Sequence, residues 1–160
     1  MFIDLPDLYI VIANVVGIPV VHFTIAWLTT QLPDRFFITK KPLHSERFNN
    51  PISPVYENIF HIKLWKDKLP DAGPWLNGFS KGSLKATDTP YLKTFVAETR
   101  RGEFSHWIQA LVICCFVLWN PYPANLVIIS YAILSNAPCI LNQRFTRHRI
   151  LKLLYKRFTT

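Results

Sequence analysis

The sequence predicts an all-α integral membrane protein with three transmembrane helices, N-terminus outside and C-terminus inside, and amphipathic helices on the cytosolic or interfacial side. Three observations predict it. Half of the 160 residues are hydrophobic and 14% are aromatic, and the mean hydropathy of +0.17 is high for a soluble chain. The apolar residues gather in three runs, about residues 8–28, 104–119 and 124–142. The cations avoid those runs: twelve of the 18 Lys and Arg residues lie between 35 and 101, and six between 144 and 157. Residues 1–160 read as a single membrane domain.

The first run, "LYIVIANVVGIPVVHFTIAWL", holds no Asp, Glu, Lys or Arg over 21 positions, long enough to cross about 30 Å of hydrocarbon. Its start, "MFIDLPD", is acidic, so it reads as a retained span rather than a secretory signal, which wants a basic start and a small-residue cleavage site. Residues 29–103 are too polar to cross and form a cytosolic segment. Within them, "TPYLKTFVAETRRGEF" offers Thr89 as N-cap and Pro90 as first helical residue. Leu92, Phe95, Val96 and Thr99 then make a helical stripe. The expectation is an amphipathic helix along the membrane surface, running toward the second span with Gly102 as a bend. "VYENIFHIKLWKDKLP" mixes strand-like and helix-like spacing, and "PDAGPWLNGFSKGS" is loop. Residues 63–84 are expected to fold back against the cytosolic mouth of the spans, bringing Trp65, Lys66 and Lys81 to a ligand.

The second and third runs are joined by "NPYP", and Asn136 and Pro138 interrupt the third. The tail, residues 143–160, has apolar residues at 145, 150, 151, 153, 154 and 158 among six cations, as in a basic helix on the bilayer surface. Cations favour the cytosolic side of spans, which places the N-terminus and the NPYP turn outside. The net charge of +8 then points to anionic membrane lipids, with no need for nucleic acid. Cys114, Cys115 and Cys139 sit in apolar runs and read as small core residues, not as metal ligands or a disulfide. No Gly-rich phosphate loop, CxxC pair or GxSxG elbow is present.

The densest polar stretch adjoining a span is "ETRRGEFSHW", residues 98–107. On a helix Glu103 and His106 are three apart and share a face, so the carboxylate would orient the imidazole as a general base. Glu98 and Arg101 are also three apart. Ser105 and His106 point about 100° apart, against a nucleophile pair. A plain boundary helix with snorkelling arginines and Trp107 in the aromatic belt fits the same residues. His22, alone in the first run, reads as a packed, hydrogen-bonded histidine. All the polar stretches flanking spans fall at one membrane level, which favours a site there.

"LPDRFF" (32–37), "KLWKDKLPDAG" (63–73), "GFSKGSL" (78–84), "ETRRGEFSHW" (98–107) and "NAPCILNQRFTRHR" (136–149) occur in this order. Together they resemble the glycosyl-4,4'-diaponeurosporenoate acyltransferase family, small bacterial enzymes of the staphyloxanthin pathway in the plasma membrane. By position the family-like residues are Glu98, Arg100 or Arg101, Glu103, His106, Trp107, Asn136, Pro138, Gln143, Arg144, Arg147 and Arg149. Gly102 stands where alanine is expected, and His148 where proline is common. The resemblance implies fatty acyl transfer to a sugar hydroxyl of a glycosylated carotenoid or related glycolipid. His106 and Glu103 would be catalytic. Glu98, Arg100, Arg101, Asn136, Gln143, Arg144, Arg147, Trp65, Lys66 and Lys81 would bind substrate, the arginines holding a donor phosphate. No cofactor is expected to be resident; an acyl-CoA or acyl carrier protein thioester would be co-substrate. Membrane lipids, the lipidic acceptor and other pathway enzymes are the expected partners. A non-enzymatic lipid-binding or assembly protein is the alternative of another class. A metal-dependent hydrolase lacks an HExxH-like pair.

Overall fold

The computed structural model describes residues 2–38 and 52–159, with side chains described for 2–38 and 55–157. Residues 39–51 of the expected cytosolic segment and the Phe158 side chain of the tail stripe lie outside the described residues. Every regular element among the described residues is helical. These are α1 (Asp7–Gln31), α2 (Ile52–Asn58), α3 (Ile62–Trp65), α4 (Thr89–Cys114) and α5 (Ala124–Thr159), with short 3-10 turns between them.

Helix α1 starts after Pro6, with Asp7 placing negative charge in its first turn. It stops where Leu32, extended at ψ 138°, precedes Pro33. Its 25 residues rise about 38 Å, more than the hydrocarbon thickness. Much of its surface, including Val11, Val15, Val20 and Phe23, is exposed and apolar. Helix α4 is capped by Asp88, whose side chain accepts from the Tyr91 amide at 3.1 Å. Thr89 is therefore the first helical residue rather than the cap, and Pro90 the second.

Among the described residues two helices, not three, are long and apolar enough to cross a membrane: α1 and α5. The expected span over 104–119 is corrected because the α-helix ends at Cys114 and tightens into a 3-10 turn over Cys115–Leu118. That leaves too short an apolar stretch behind the charged half of α4. At Gly102, where a bend was expected, α4 continues as helix. A Cβ there would come within 3.0 Å of the Gln143 side chain, so the glycine instead admits α5 at close range. Asn136 and Pro138, the polar break in the third apolar run, lie within a continuous α5. Its 36 residues form one helix of about 54 Å.

The two amphipathic halves pack on each other. Leu92, Phe95 and Val96 of α4 bury themselves against Ile150, Leu151 and Leu154 of α5. Burying each such side chain stabilises by about 1.5–3 kcal/mol, which helix-to-helix packing supplies without a bilayer. At the far end Ile113 and Phe116 pack on Ile128 and Ala132, with Ile18 and Val21 of α1 alongside. Asn14 and Asn120 exchange side-chain hydrogen bonds there at 2.7 and 3.0 Å, pinning α1 to the α4–α5 turn. Between the two apolar clusters lies a polar layer containing buried Glu98, Arg101, Ser105, Gln109 and Asn136.

Candidate active site

The polar layer opens into a cavity of about 290 Å³, near the lower end of ligand-binding volumes. Its walls come from α1 (His22, Phe23, Ala26), α4 (Arg101, Ser105, His106, Gln109), α5 (Cys139, Gln143) and the loop over 70–81. The loop is shaped by Asp71. Its carboxylate accepts from the amides of Lys81 at 2.7 Å, Gly82 at 2.9 Å and Gly73 at 3.3 Å, and from the Ser80 hydroxyl at 3.4 Å. A Cβ at Gly73 would collide with the Phe79 carbonyl, so the tight crossing requires glycine. This folding sets Lys81 in the cavity wall.

His106 Nδ1 lies 3.1 Å from Asn136 Oδ1. The Asn136 amide nitrogen donates to the Ala132 carbonyl at 3.0 Å and to Ser135 Oγ at 3.1 Å. Those acceptors orient the amide, so its oxygen faces the ring and Nδ1 is the protonated nitrogen. The lone pair of the neutral imidazole is then on Nε2. Asn136 therefore does the orienting expected of Glu103.

Glu103 is taken by two arginines of α5. Arg144 Nε meets one carboxylate oxygen at 2.6 Å and Arg147 Nη2 the other at 2.6 Å. The i, i+3 spacing was sound, but two guanidiniums outcompete one neutral ring for a carboxylate. Burial pushes the Glu103 carboxyl up, yet the hydrogen bonds and charges of Arg147 and Arg144 outweigh it and hold it below 4.5. A carboxyl whose folded pKa is depressed stabilises fully above its unfolded value and loses that contribution as pH falls through the folded one. Glu103→Gln should thus lower the melting temperature at pH 7 and remove part of its fall between pH 5 and 3, with a small effect on turnover. Thermal unfolding over that pH range measures it.

Arg101 is spent as well. Its Nη1 donates to the Thr29 carbonyl at 2.7 Å and the Leu32 carbonyl at 2.6 Å, and its Nε donates to Glu98 at 2.9 Å. Nη2 pairs with Asp34, and the guanidinium lies 4.7 Å from the Phe37 ring centroid. The residue lines the cavity but caps the end of α1, as the orphan carbonyls of a helix terminus require. Arg100 donates to the Phe37 carbonyl at 3.1 Å. The four arginines expected to hold a donor phosphate thus serve intramolecular contacts.

Of the remaining expected site residues, Glu98, Gln143 and Lys81 line the cavity with His106. Lys66 lines a neighbouring hollow, and Trp65 donates to the Phe60 carbonyl at 2.8 Å. Sequence reasoning missed Gln109 and Asp71. Gln109 Oε1 accepts from His22 Nδ1 at 2.8 Å and its Nε2 donates to Ser105 Oγ at 3.1 Å, while His22 Nε2 meets the Tyr131 hydroxyl at 3.2 Å. A polar residue three after His106 inside an apolar run was the available signal for Gln109. His22 is packed and hydrogen-bonded, and it also faces the cavity.

The family model for glycosyl-4,4'-diaponeurosporenoate acyltransferase matches residues 34–156. The chain belongs to that family. Relatives named glycosyl-4,4'-diaponeurosporenoate acyltransferase in Staphylococcus aureus strains USA300 and NCTC 8325 are 30% identical over 137 residues, covering 84% of this chain and 82% of theirs. The relative in strain MRSA252 is 29% identical over the same length. No solved structure matches. The match spans α4, the Asp71 loop and most of α5, so the family's region contains His106, Asn136 and the arginine clasp on Glu103. As a member of the glycosyl-4,4'-diaponeurosporenoate acyltransferase family, the protein is an acyltransferase.

Proposed function

We propose that the cavity at His106 transfers a fatty acyl group from a cytosolic thioester to a sugar hydroxyl of a glycosylated carotenoid or related glycolipid. The observation that carries this is the Asn136–His106 contact, which leaves the Nε2 lone pair to act as base in a cavity beside apolar helices. His106 takes the hydroxyl proton as the sugar oxygen attacks the thioester carbonyl. The new C–O bond forms, the C–S bond breaks, and the thiolate leaves with the proton returned by the imidazolium. Lys81 and the Gln143 amide lie where donors can stabilise the oxyanion. Coenzyme A or acyl carrier protein carries the donor.

The same reading puts the enzyme in the plasma membrane as a multi-pass protein, N-terminus outside. Arg101 holds Thr29 at one end of α1, and Asn120 holds Asn14 near the other. Helix α4 and its 3-10 extension therefore run alongside α1. Their polar side chains turn to the cavity, where a membrane segment tolerates them. Membrane lipids, the glycosylated acceptor and neighbouring pathway enzymes are its partners. Protein reconstituted in lipid nanodiscs with an acyl-CoA and a glycosylated carotenoid should yield an acceptor heavier by one acyl group in mass spectrometry. Thioester hydrolysis without acylated acceptor would overturn the reading.

A further inference from the structure

A second hollow, of about 440 Å³, adjoins the cavity and shares Pro70, Asp71, Lys81 and Gln143 with it. Its cations are Lys66, Lys81 and Arg149. Of its two carboxylates, Asp67 pairs with Lys66, and Asp71 is already held by three backbone amides and a hydroxyl. Arg144 and Arg147 face the other way, onto Glu103. Asn136, Cys139, Gln143 and Thr146 follow one another at three- or four-residue steps, so they run down one side of α5, and Arg149 stands further round the helix, in the hollow. That stripe joins the imidazole's partner to the basic hollow. Thirteen residues separate Asn136 from Arg149, about 20 Å of helix rise, comparable with an extended phosphopantetheine arm.

We propose that this hollow seats the phosphate end of the donor's phosphopantetheine arm on Lys66 and Arg149, with the arm passing Lys81 and Gln143 to present its thioester at His106. The proposal rests on the acyl-transfer reading and names the group by which the donor is recognised. The phosphodiester is shared by coenzyme A and acyl carrier protein, and a cationic hollow at the cytosol-facing end of the cavity suits either.

The test compares the Lys66→Ala/Arg149→Ala double variant with the unmutated protein on three donors carrying one acyl chain: acyl-CoA, acyl carrier protein and acyl-pantetheine, which lacks the phosphate. The loss should appear in KM, and with a phosphorylated donor it should exceed the loss with acyl-pantetheine by about tenfold, the worth of one charge-assisted hydrogen bond. A selective loss with acyl-CoA, with acyl carrier protein or with both supports the seat and identifies the physiological carrier. Equal losses with all three donors, or no loss with any, overturn it. Equilibrium dialysis of coenzyme A separates this proposal from the catalytic one. His106→Ala protein should retain coenzyme A even where turnover is gone, and the double variant should release it. Retention by the double variant equal to that of the unmutated protein would overturn the seat whatever His106 does.

Discussion

Replacing His106 with alanine should lower turnover by about 10²–10⁴-fold, the range for loss of a general base. The protein should remain inserted and helical, because the contacts of His106 are polar ones with Asn136 and Gln109 while the apolar clusters at both ends of α4 are untouched. His106→Gln guards against a folding artefact: it keeps a side-chain donor for Asn136 but supplies no base, so it should be as inactive as alanine. Asn136→Ala should lose less, since the ring remains but both tautomers become populated. Its pH–rate profile should move, which a packing defect alone would not produce. Turnover of His106→Ala within a few-fold of the unmutated protein would remove the imidazole from the mechanism.

The largest structural effect is expected at Arg101. Its side chain is 8% exposed and that of Glu98 12%, so removing the guanidinium strands a buried carboxylate and the last carbonyls of α1. Breaking such a buried pair costs about 3–5 kcal/mol. Asp34, 66% exposed, adds little of this, because water replaces the lost partner. Arg101→Ala should therefore lower the melting temperature by about 10 °C in detergent. Arg101→Lys should recover only part, since one ammonium cannot reach carbonyls and carboxylate together. The Lys63–Glu57 pair, exposed at the lysine and half-buried at the glutamate, makes the control, worth at most about 1 kcal/mol. A melting temperature for Arg101→Ala no lower than that of Lys63→Ala would show that α1 is held elsewhere.

Apolar periodicity and charge-free runs made the long helices legible. Leu92, Phe95 and Val96 marked α4, the uncharged run marked α1, and the site lies in the polar stretches whose sequence carried the family resemblance. Whether those stripes would meet lipid or each other was not legible. A stripe records that a face is apolar, and the same burial free energy is gained against Ile150 and Leu151 as against a bilayer. The count of independently apolar spans failed for a related reason: hydropathy scores a helix by itself, whereas α4 places Ser105, His106 and Gln109 against α1 and α5.

Local spacing likewise put Glu103 beside His106, because i, i+3 geometry is a property of one helix. Which neighbour each side chain takes is a property of the packed molecule. His106 found Asn136 thirty residues on, Glu103 found Arg147 at 44, and Arg101 found Asp34 at 67. A carboxylate with access to two guanidiniums takes them over a neutral ring, and a guanidinium beside an unfinished helix end takes its carbonyls. Residue types and helical period thus set which groups stand on each face. The close approach of α4 to α5 at Gly102, and of α1 to Arg101, decided which of them clamp the fold and which are left facing the cavity.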